Sequence, residues 1–169
     1  MKLLNFGAGT KVINHSDWDN ADIEKHNGSN LIFDFNKFPY PIKDNTYDYV
    51  LASHVLEHLE YPEKAIHELF RITKHKGIVE VRVPHLNSEI AFAIGHINQW
   101  ILRSFDMLCN PVGWETPRPY KLEMISSKLE PTYFAKFIPP FMRVFLSRFL
   151  RGILREIKVK IRVIKEKSI

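Results

Sequence analysis

Leu3-Leu4-Asn5-Phe6 runs straight into Gly7-Ala8-Gly9-Thr10, an apolar run broken at once by two glycines. Such a stretch predicts a short buried strand entering a glycine turn. Three similar runs follow: Trp18-Asp19-Asn20-Ala21-Asp22-Ile23, Leu31-Ile32-Phe33 stopping at Asp34, and Tyr47-Asp48-Tyr49-Val50-Leu51-Ala52 after a loop with Pro39 and Pro41. Pro62, between Glu60 and Glu63, opens a helix, because proline is tolerated in the first turn and acids suit its positive end. Ala65, Ile66, Leu69, Phe70 and Ile72 give that helix one apolar face, and His75-Lys76-Gly77 predicts a glycine C-cap. Ile78-Val79-Glu80-Val81-Arg82-Val83 is a fifth strand, closed by Pro84. Short strands joined by helical or loop crossovers predict an open, mostly parallel α/β sheet.

Residues 85–169 differ in character. A helical or irregular region from Glu89 to Cys109 leads into a proline-rich loop from Pro111 to Pro119. A sixth strand is expected over 122–129, an amphipathic helix over 141–156, and a strictly alternating strand over 157–163 with one face wet. The chain of 169 residues fits one domain, with a half at 1–84 and a second at 85–169. Its 45% hydrophobic and 25% charged residues exclude a disordered or collagen-like chain. A single cysteine, Cys109, allows no internal disulfide and fits a reducing cytoplasm. The opening apolar run is too short for a signal peptide, and no stretch nears the ~20 apolar residues of a membrane span. A cytoplasmic protein, soluble or peripherally attached, is the expectation.

Net charge is +5, but it is unevenly spread. Residues 135–169 carry ten basic and two acidic residues, while the preceding 134 are net negative. The motif-bearing body is therefore mildly acidic.

In open α/β sheets ligands bind outside the carboxyl ends of the strands. Asn5, Gly7, Gly9, Asp22, Asp34, Ser53 and His54 collect there. Glycines admit close approach to the backbone, and a carboxylate about a dozen residues later can accept both hydroxyls of a ribose. A group after the third strand can reach an adenine amino group. Val12 stands where a dinucleotide fingerprint needs a third small residue, and Gly9 to Asp22 is too short for a crossover helix plus a strand. No Gly-Lys-Ser/Thr is present, so a P-loop is excluded. A nucleoside cofactor without phosphates fits best.

Leu4-Asn5-Phe6-Gly7-Ala8-Gly9-Thr10, Trp18 to Ile23, Asp34-Phe35-Asn36-Lys37-Phe38-Pro39 and Tyr47-Asp48-Tyr49-Val50 resemble the class I S-adenosylmethionine-dependent methyltransferases. So do Ser53-His54-Val55-Leu56-Glu57-His58-Leu59, Glu68-Leu69-Phe70-Arg71 and Lys76-Gly77, and the likeness is to small members with a Glu-His pair after the fourth strand. The resemblance covers residues 2–84 in order. It implies a three-layer Rossmann-like sheet of seven strands, mostly parallel with the last antiparallel. It also implies S-adenosylmethionine as cofactor, held by Asn5, Phe6, Gly7, Ala8, Gly9, Asp22, Ile23, Asp34, Phe35, Ser53 and His54. Among these, Gly7 and Gly9 would flank the methionine part, Asp22 the ribose and Asp34 with Phe35 the adenine, with Ser53 and His54 by the sulfonium. The methyl acceptor stays unidentified. Two departures stand out: Asn5 replaces the more usual acid, and the crossover helix after Gly9 is nearly absent. The second leaves part of one sheet face uncovered and raises the question of a homo-oligomer.

His85 and His96 follow the fifth strand on the cofactor side, and either could serve as general base if the acceptor must lose a proton. A loop-stabilising role is the alternative for each. His54-Val55-Leu56-Glu57-His58 also matches H-x-x-E-H, a zinc-peptidase signature, with Glu89 or Glu115 as a conceivable third ligand. Its place directly after a strand favours the methyltransferase pattern, with no metal, over zinc hydrolysis.

On a helical wheel over 141–156, Phe141, Met142, Phe145, Leu146, Phe149, Leu150 and Ile153 share one face, and Arg148, Arg151 and Arg155 the other. The simpler expectation is internal packing. The alternative is contact with an anionic membrane surface through the three arginines. Nucleic acid is disfavoured by the acidic body and the lack of a recognised motif. A cofactor-binding interaction module without catalysis is the rival to an enzyme.

Overall fold

In the computed structural model, which describes residues 1–111 and 120–165, β1 (Leu3–Phe6) is buried along its whole length. Parallel neighbours on both edges account for this: β2 (Trp18–Asp22) pairs with it from Leu3↔Trp18, and β4 (Tyr47–Ser53) from Leu3↔Tyr49. β3 (Leu31–Ile32) lies beyond β2, and β5 (Thr73–Pro84) beyond β4. β6 (Tyr120–Pro131) and β7 (Leu154–Lys165) complete the order β3-β2-β1-β4-β5-β7-β6. β7, the last strand in the chain, sits between β5 and β6 and is antiparallel to both. The expected Rossmann-like topology is therefore present. The strand order reverses between β1 and β4, which places the switch-point crevice at Gly7 and Ser53.

One face of the sheet holds the apolar core. α1 (Pro62–Ile72) turns Ala65, Ile66, Leu69, Phe70 and Ile72 into the same buried cluster as Val79, Val81 and Val83 of β5. Phe105 of α2 (Leu102–Cys109) joins it. The loop after β3 closes this core with rings: Phe35 stacks on Phe6 at 4.0 Å, and Tyr40 lies 5.1 Å from Phe33. Glu68 and Arg71 of α1 tie that loop down. Glu68 accepts the Tyr40 amide N–H at 2.6 Å, and Arg71 donates to the Ile42 and Tyr40 carbonyls.

The opposite face is polar and is covered by loops. Residues 10–17 cross it, held by two buried amides: Asn5 donates to the Lys11 carbonyl and to Asn20 Oδ1, both at 3.0 Å. Asn20 in turn bonds both the N–H and the C=O of Ile13. Further along, Glu80 gathers Tyr49, Arg82 and Lys160. Alternation puts Ile157, Val159, Ile161 and Val163 of β7 in the core and Lys158, Lys160 and Arg162 on this wet face.

Three expectations need correction. Gly77 is no helix cap, because α1 stops at Ile72 and β5 begins at Thr73. A Cβ on Gly77 would stand 2.6 Å from Thr73 Cγ2 and 3.0 Å from the Asp48 carbonyl, so the glycine permits a close approach inside the sheet. The helix expected over 141–156 is α3 (Pro140–Leu146) only. Asn87 captures the chain beyond it: its Nδ2 donates to the Ser147 and Leu150 carbonyls, and its Oδ1 accepts the Ile153 and Leu154 amides. β7 then claims residues from Leu154 onward. Nor does α3 bury its apolar face: Leu146 packs partly against Ala135, Ile153 and Leu154, but no residue of the helix is buried, and Phe141 and Phe145 are 76% and 59% exposed. Of the second-half loop, residues 112–119, with Trp114 and Glu115, lie outside the described residues.

Candidate functional site

The carboxyl edge of the parallel strands brings the predicted residues together. Gly7 and Ala8 both donate their amide N–H to the Ala21 carbonyl, so the turn after β1 is tied to the end of β2. Gly7 has φ +74°, and a Cβ there would lie 2.6 Å from Val55 Cβ, so only glycine lets this turn meet the chain leaving β4. Above Gly9 the space is open: a Cβ would meet no atom within 4 Å. Gly9 donates its N–H to Asp22 Oδ2 at 2.6 Å. Asp22 Oδ1 accepts the Glu24 amide at 3.2 Å, with His26 Nε2 3.7 Å away. Each carboxylate oxygen carries two lone pairs, so Asp22 retains acceptor capacity.

Asp34, just past β3, is partly exposed; its carboxylate accepts the Asn36 amide at 2.9 Å and faces Lys37 at 3.5 Å. Ile23, beside Asp22, is exposed and offers an apolar surface at the crevice. The rings of Phe35 and Phe6 are not exposed at it. Both rings are buried in the core, where they support the strand ends from below. Asn5 is likewise buried and committed to Lys11 and Asn20.

At the end of β4, Ser53 is half-buried and His54 adopts φ +56°. This left-handed backbone costs a non-glycine residue roughly 1–2 kcal/mol. It also swings the imidazole out of any helical register with His58, so the H-x-x-E-H spacing does not put both histidines on one helix face; only Leu56–His58 form a 3-10 turn. His54 Nε2 lies 2.7 Å from Glu156 Oε1 of β7, and Nδ1 lies 3.3 Å from Glu57 Oε1. The Glu57 carboxylate raises its pKa most, burial opposes, and Glu156 adds to the rise. His54 and Glu156, with Pro84, Ile90 and Arg155, line a cleft of about 230 Å³.

The two histidines expected as bases stand elsewhere. His85 Nδ1 accepts the Asn87 amide N–H at 2.9 Å, which occupies the lone pair a base would use and leaves Nε2 as a donor. Burial lowers its pKa, consistent with a neutral ring. His96 packs edge-on against His58, ring centroids 4.6 Å apart. Neither lines the cleft. Sequence reasoning missed Glu156 and Asn87, whose partners lie about 60 to 100 residues away along the chain. Alternation puts Glu156 on the polar face with Lys158 and Lys160, so nothing in the spacing marked it as a partner of His54.

Residues 13–81 match the family model described as a methyltransferase domain. An uncharacterised protein of Methanocaldococcus jannaschii is 50% identical over 50 residues, 30% of this chain and 22% of that protein, so the match spans about a fifth of the relative's length. Among solved structures, an S-adenosylmethionine-dependent methyltransferase from Archaeoglobus fulgidus is similar with a TM-score of 0.61 and 18% identity, over 95% of this chain and 85% of that one. Another from Mesorhizobium loti has a TM-score of 0.61 and 11% identity, over 95% and 90%. At these identities the likeness is one of fold.

Proposed function

Starting from a chain that carries a class I S-adenosylmethionine-dependent methyltransferase domain, we propose that it transfers a methyl group to an acceptor seated in the His54–Glu156 cleft. The observation that carries this reading is the open space above Gly9 at the switch point, with Asp22 and Asp34 on the neighbouring strand ends. Those residues fit the cofactor. Gly7, Ala8 and Gly9 would bound its methionine part, Asp22 the ribose, Asp34 the adenine amino group and Ile23 an adenine face, with Ser53 and His54 at the sulfonium end. Bound there, the cofactor supplies an electrophilic methyl group. That methyl group would pass to a lone pair of the acceptor, with the electrons of the carbon–sulfur bond left on sulfur. Such a displacement gains chiefly from positioning. The cleft supplies a donor for it in Arg155, exposed at the rim, and acceptor capacity in Glu156, whose Oε1 lies 2.7 Å from His54 Nε2. With the His85 lone pair engaged, these groups orient the acceptor.

Calorimetric titration tests the cofactor assignment. The wild-type chain binds S-adenosylmethionine and S-adenosylhomocysteine, and Asp22→Ala weakens both at least about tenfold, or roughly 1.4 kcal/mol. No binding by the folded wild type overturns the reading. Transfer of labelled methyl from the cofactor to lysate fractions separates an enzyme from a binding module of the same fold.

A second observation bears on location in the cell, for which we propose the cytoplasm with peripheral membrane attachment. Residues 131–155 hold five cations and no carboxylate. Phe134, Phe137, Phe141, Phe145 and Phe149 are all more than half exposed there. Arg148, Arg151 and Arg155 are exposed too, and no described helix is long and apolar enough to cross a membrane. Exposed aromatics beside exposed positive charge suit an anionic lipid surface. Co-sedimentation with phosphatidylserine-containing vesicles is expected, with loss in Arg148/Arg151/Arg155→Glu. Equal binding to neutral vesicles, or none to either, refutes it.

A further inference from the structure

We infer that Glu57, His58 and His96 form a binding site for a divalent transition-metal ion of the zinc class. One ligand atom from each of the three lies within 4.8 Å of the others. This set differs from the sequence spacing that pairs His54 with His58. It draws its third member from a loop 38 residues downstream, and it stands independently of methyl transfer.

The strongest support is Glu57. Its side chain is 0% exposed, yet neither carboxylate oxygen has a hydrogen-bond partner among the described residues. Among the described residues His54 Nδ1 faces Oε1 at 3.3 Å, outside hydrogen-bond geometry, and Oε2 is left with no partner at all. Buried carboxylates without partners are costly, and native proteins pair them or give them a cation. His96 repeats the pattern, because its Nδ1 is buried and has no hydrogen-bond partner among the described residues. His58 is prepared in the complementary sense. Its Nδ1 lies 2.9 Å from the Gly95 carbonyl, which can only accept, so Nδ1 carries the proton and Nε2 keeps its lone pair. A backbone carbonyl fixing the tautomer in this way is the usual second-layer support of a metal-bound histidine.

The loop bearing His96 is already anchored beside the turn. Ile97 and Asn98 donate their amides to the Glu57 backbone carbonyl at 2.9 and 3.1 Å, and Asn98 Nδ2 donates to the Leu59 carbonyl at 2.6 Å. Zinc bonds of about 2.0–2.1 Å place tetrahedral ligands about 3.3 Å apart, so the rings need to close by only an ångström or so. Two imidazoles and one carboxylate select zinc, cobalt or nickel over magnesium or calcium. Three protein ligands leave a fourth position for water. His54 then becomes a positioning residue, reaching Glu57 on one side and the cleft's Glu156 on the other.

The test uses the full chain, stripped with chelator and titrated with Co²⁺ in the absence of S-adenosylmethionine. One equivalent is expected to bind and give visible d–d absorption, and Zn²⁺ should displace it. His58→Ala and His96→Ala should each weaken binding at least about tenfold. His15→Ala, which removes an exposed histidine outside the cluster, should leave it unchanged. Circular dichroism confirms that each variant is folded. Absence of saturable binding in the wild type overturns the site. So does a folded His58→Ala/His96→Ala double variant with wild-type affinity, or an equal loss in His15→Ala.

Discussion

Asn5 ends β1 with a carboxamide, and the structure uses its N–H twice, toward the Lys11 carbonyl and Asn20 Oδ1. A carboxylate could not donate either bond and would face two oxygens. Asn5→Asp is therefore expected to cost roughly 2–3 kcal/mol, the range for losing two part-buried hydrogen bonds and gaining repulsion. Urea denaturation checks this, and an unchanged midpoint would separate Asn5 from the loop it holds. Asn5, Gly7, Gly9, Asp22 and Asp34 were legible in the sequence because each sits at a strand end, where local runs place it. His54 and His85 were legible only as positions. Their partners, Glu57 and Glu156 for one ring and the Asn87 amide for the other, depend on a left-handed backbone and on strand pairing across the sheet. Neither leaves a mark in residue spacing.

At the scale of elements, the parallel half was readable because each strand is a short run with its own stop signal. The segment between β6 and β7 was not. Its apolar spacing is helical from Phe141 to Ile153, but the chain is helical only to Leu146. Four hydrogen bonds from the buried Asn87 amide override that local preference and turn the chain into β7. Asn87→Ala removes all four and leaves two carbonyls and two amides to find other partners. A loss of about 2–4 kcal/mol is expected. Asn87→Asp keeps the acceptor for Ile153 and Leu154 but sets a buried carboxylate oxygen against the Ser147 and Leu150 carbonyls, so at neutral pH it should be at least as destabilised as Asn87→Ala. Urea denaturation of both variants checks this, and an Asn87→Ala midpoint equal to wild type would show that the four bonds do not hold the chain here.

For the whole molecule, the thin cover on one sheet face raises the question of a second copy. The residues there answer it physically. Asn5 and Asn20 strap a loop across β1 and β2, and Glu80, Arg82 and Lys160 make the face beyond β4 charged. A charged face needs no apolar partner, so this surface predicts no dimer through it. Its charges also set an acid limit on stability. Burial raises the Glu80 pKa, but the Tyr49 hydroxyl at 2.6 Å, Arg82 and Lys160 together outweigh it and hold it below its ordinary value near 4.5. A carboxyl depressed in the folded state contributes its stability above the unfolded pKa and loses it as pH falls through the folded value. Wild type should therefore be more stable than Glu80→Gln at pH 7, and the gap should close as the pH drops below about 4.5. Urea midpoints from pH 7 down to pH 3 measure it. A gap that stays constant across that range would mean the glutamate's charge contributes nothing, and that the network is held by its hydrogen-bond geometry alone.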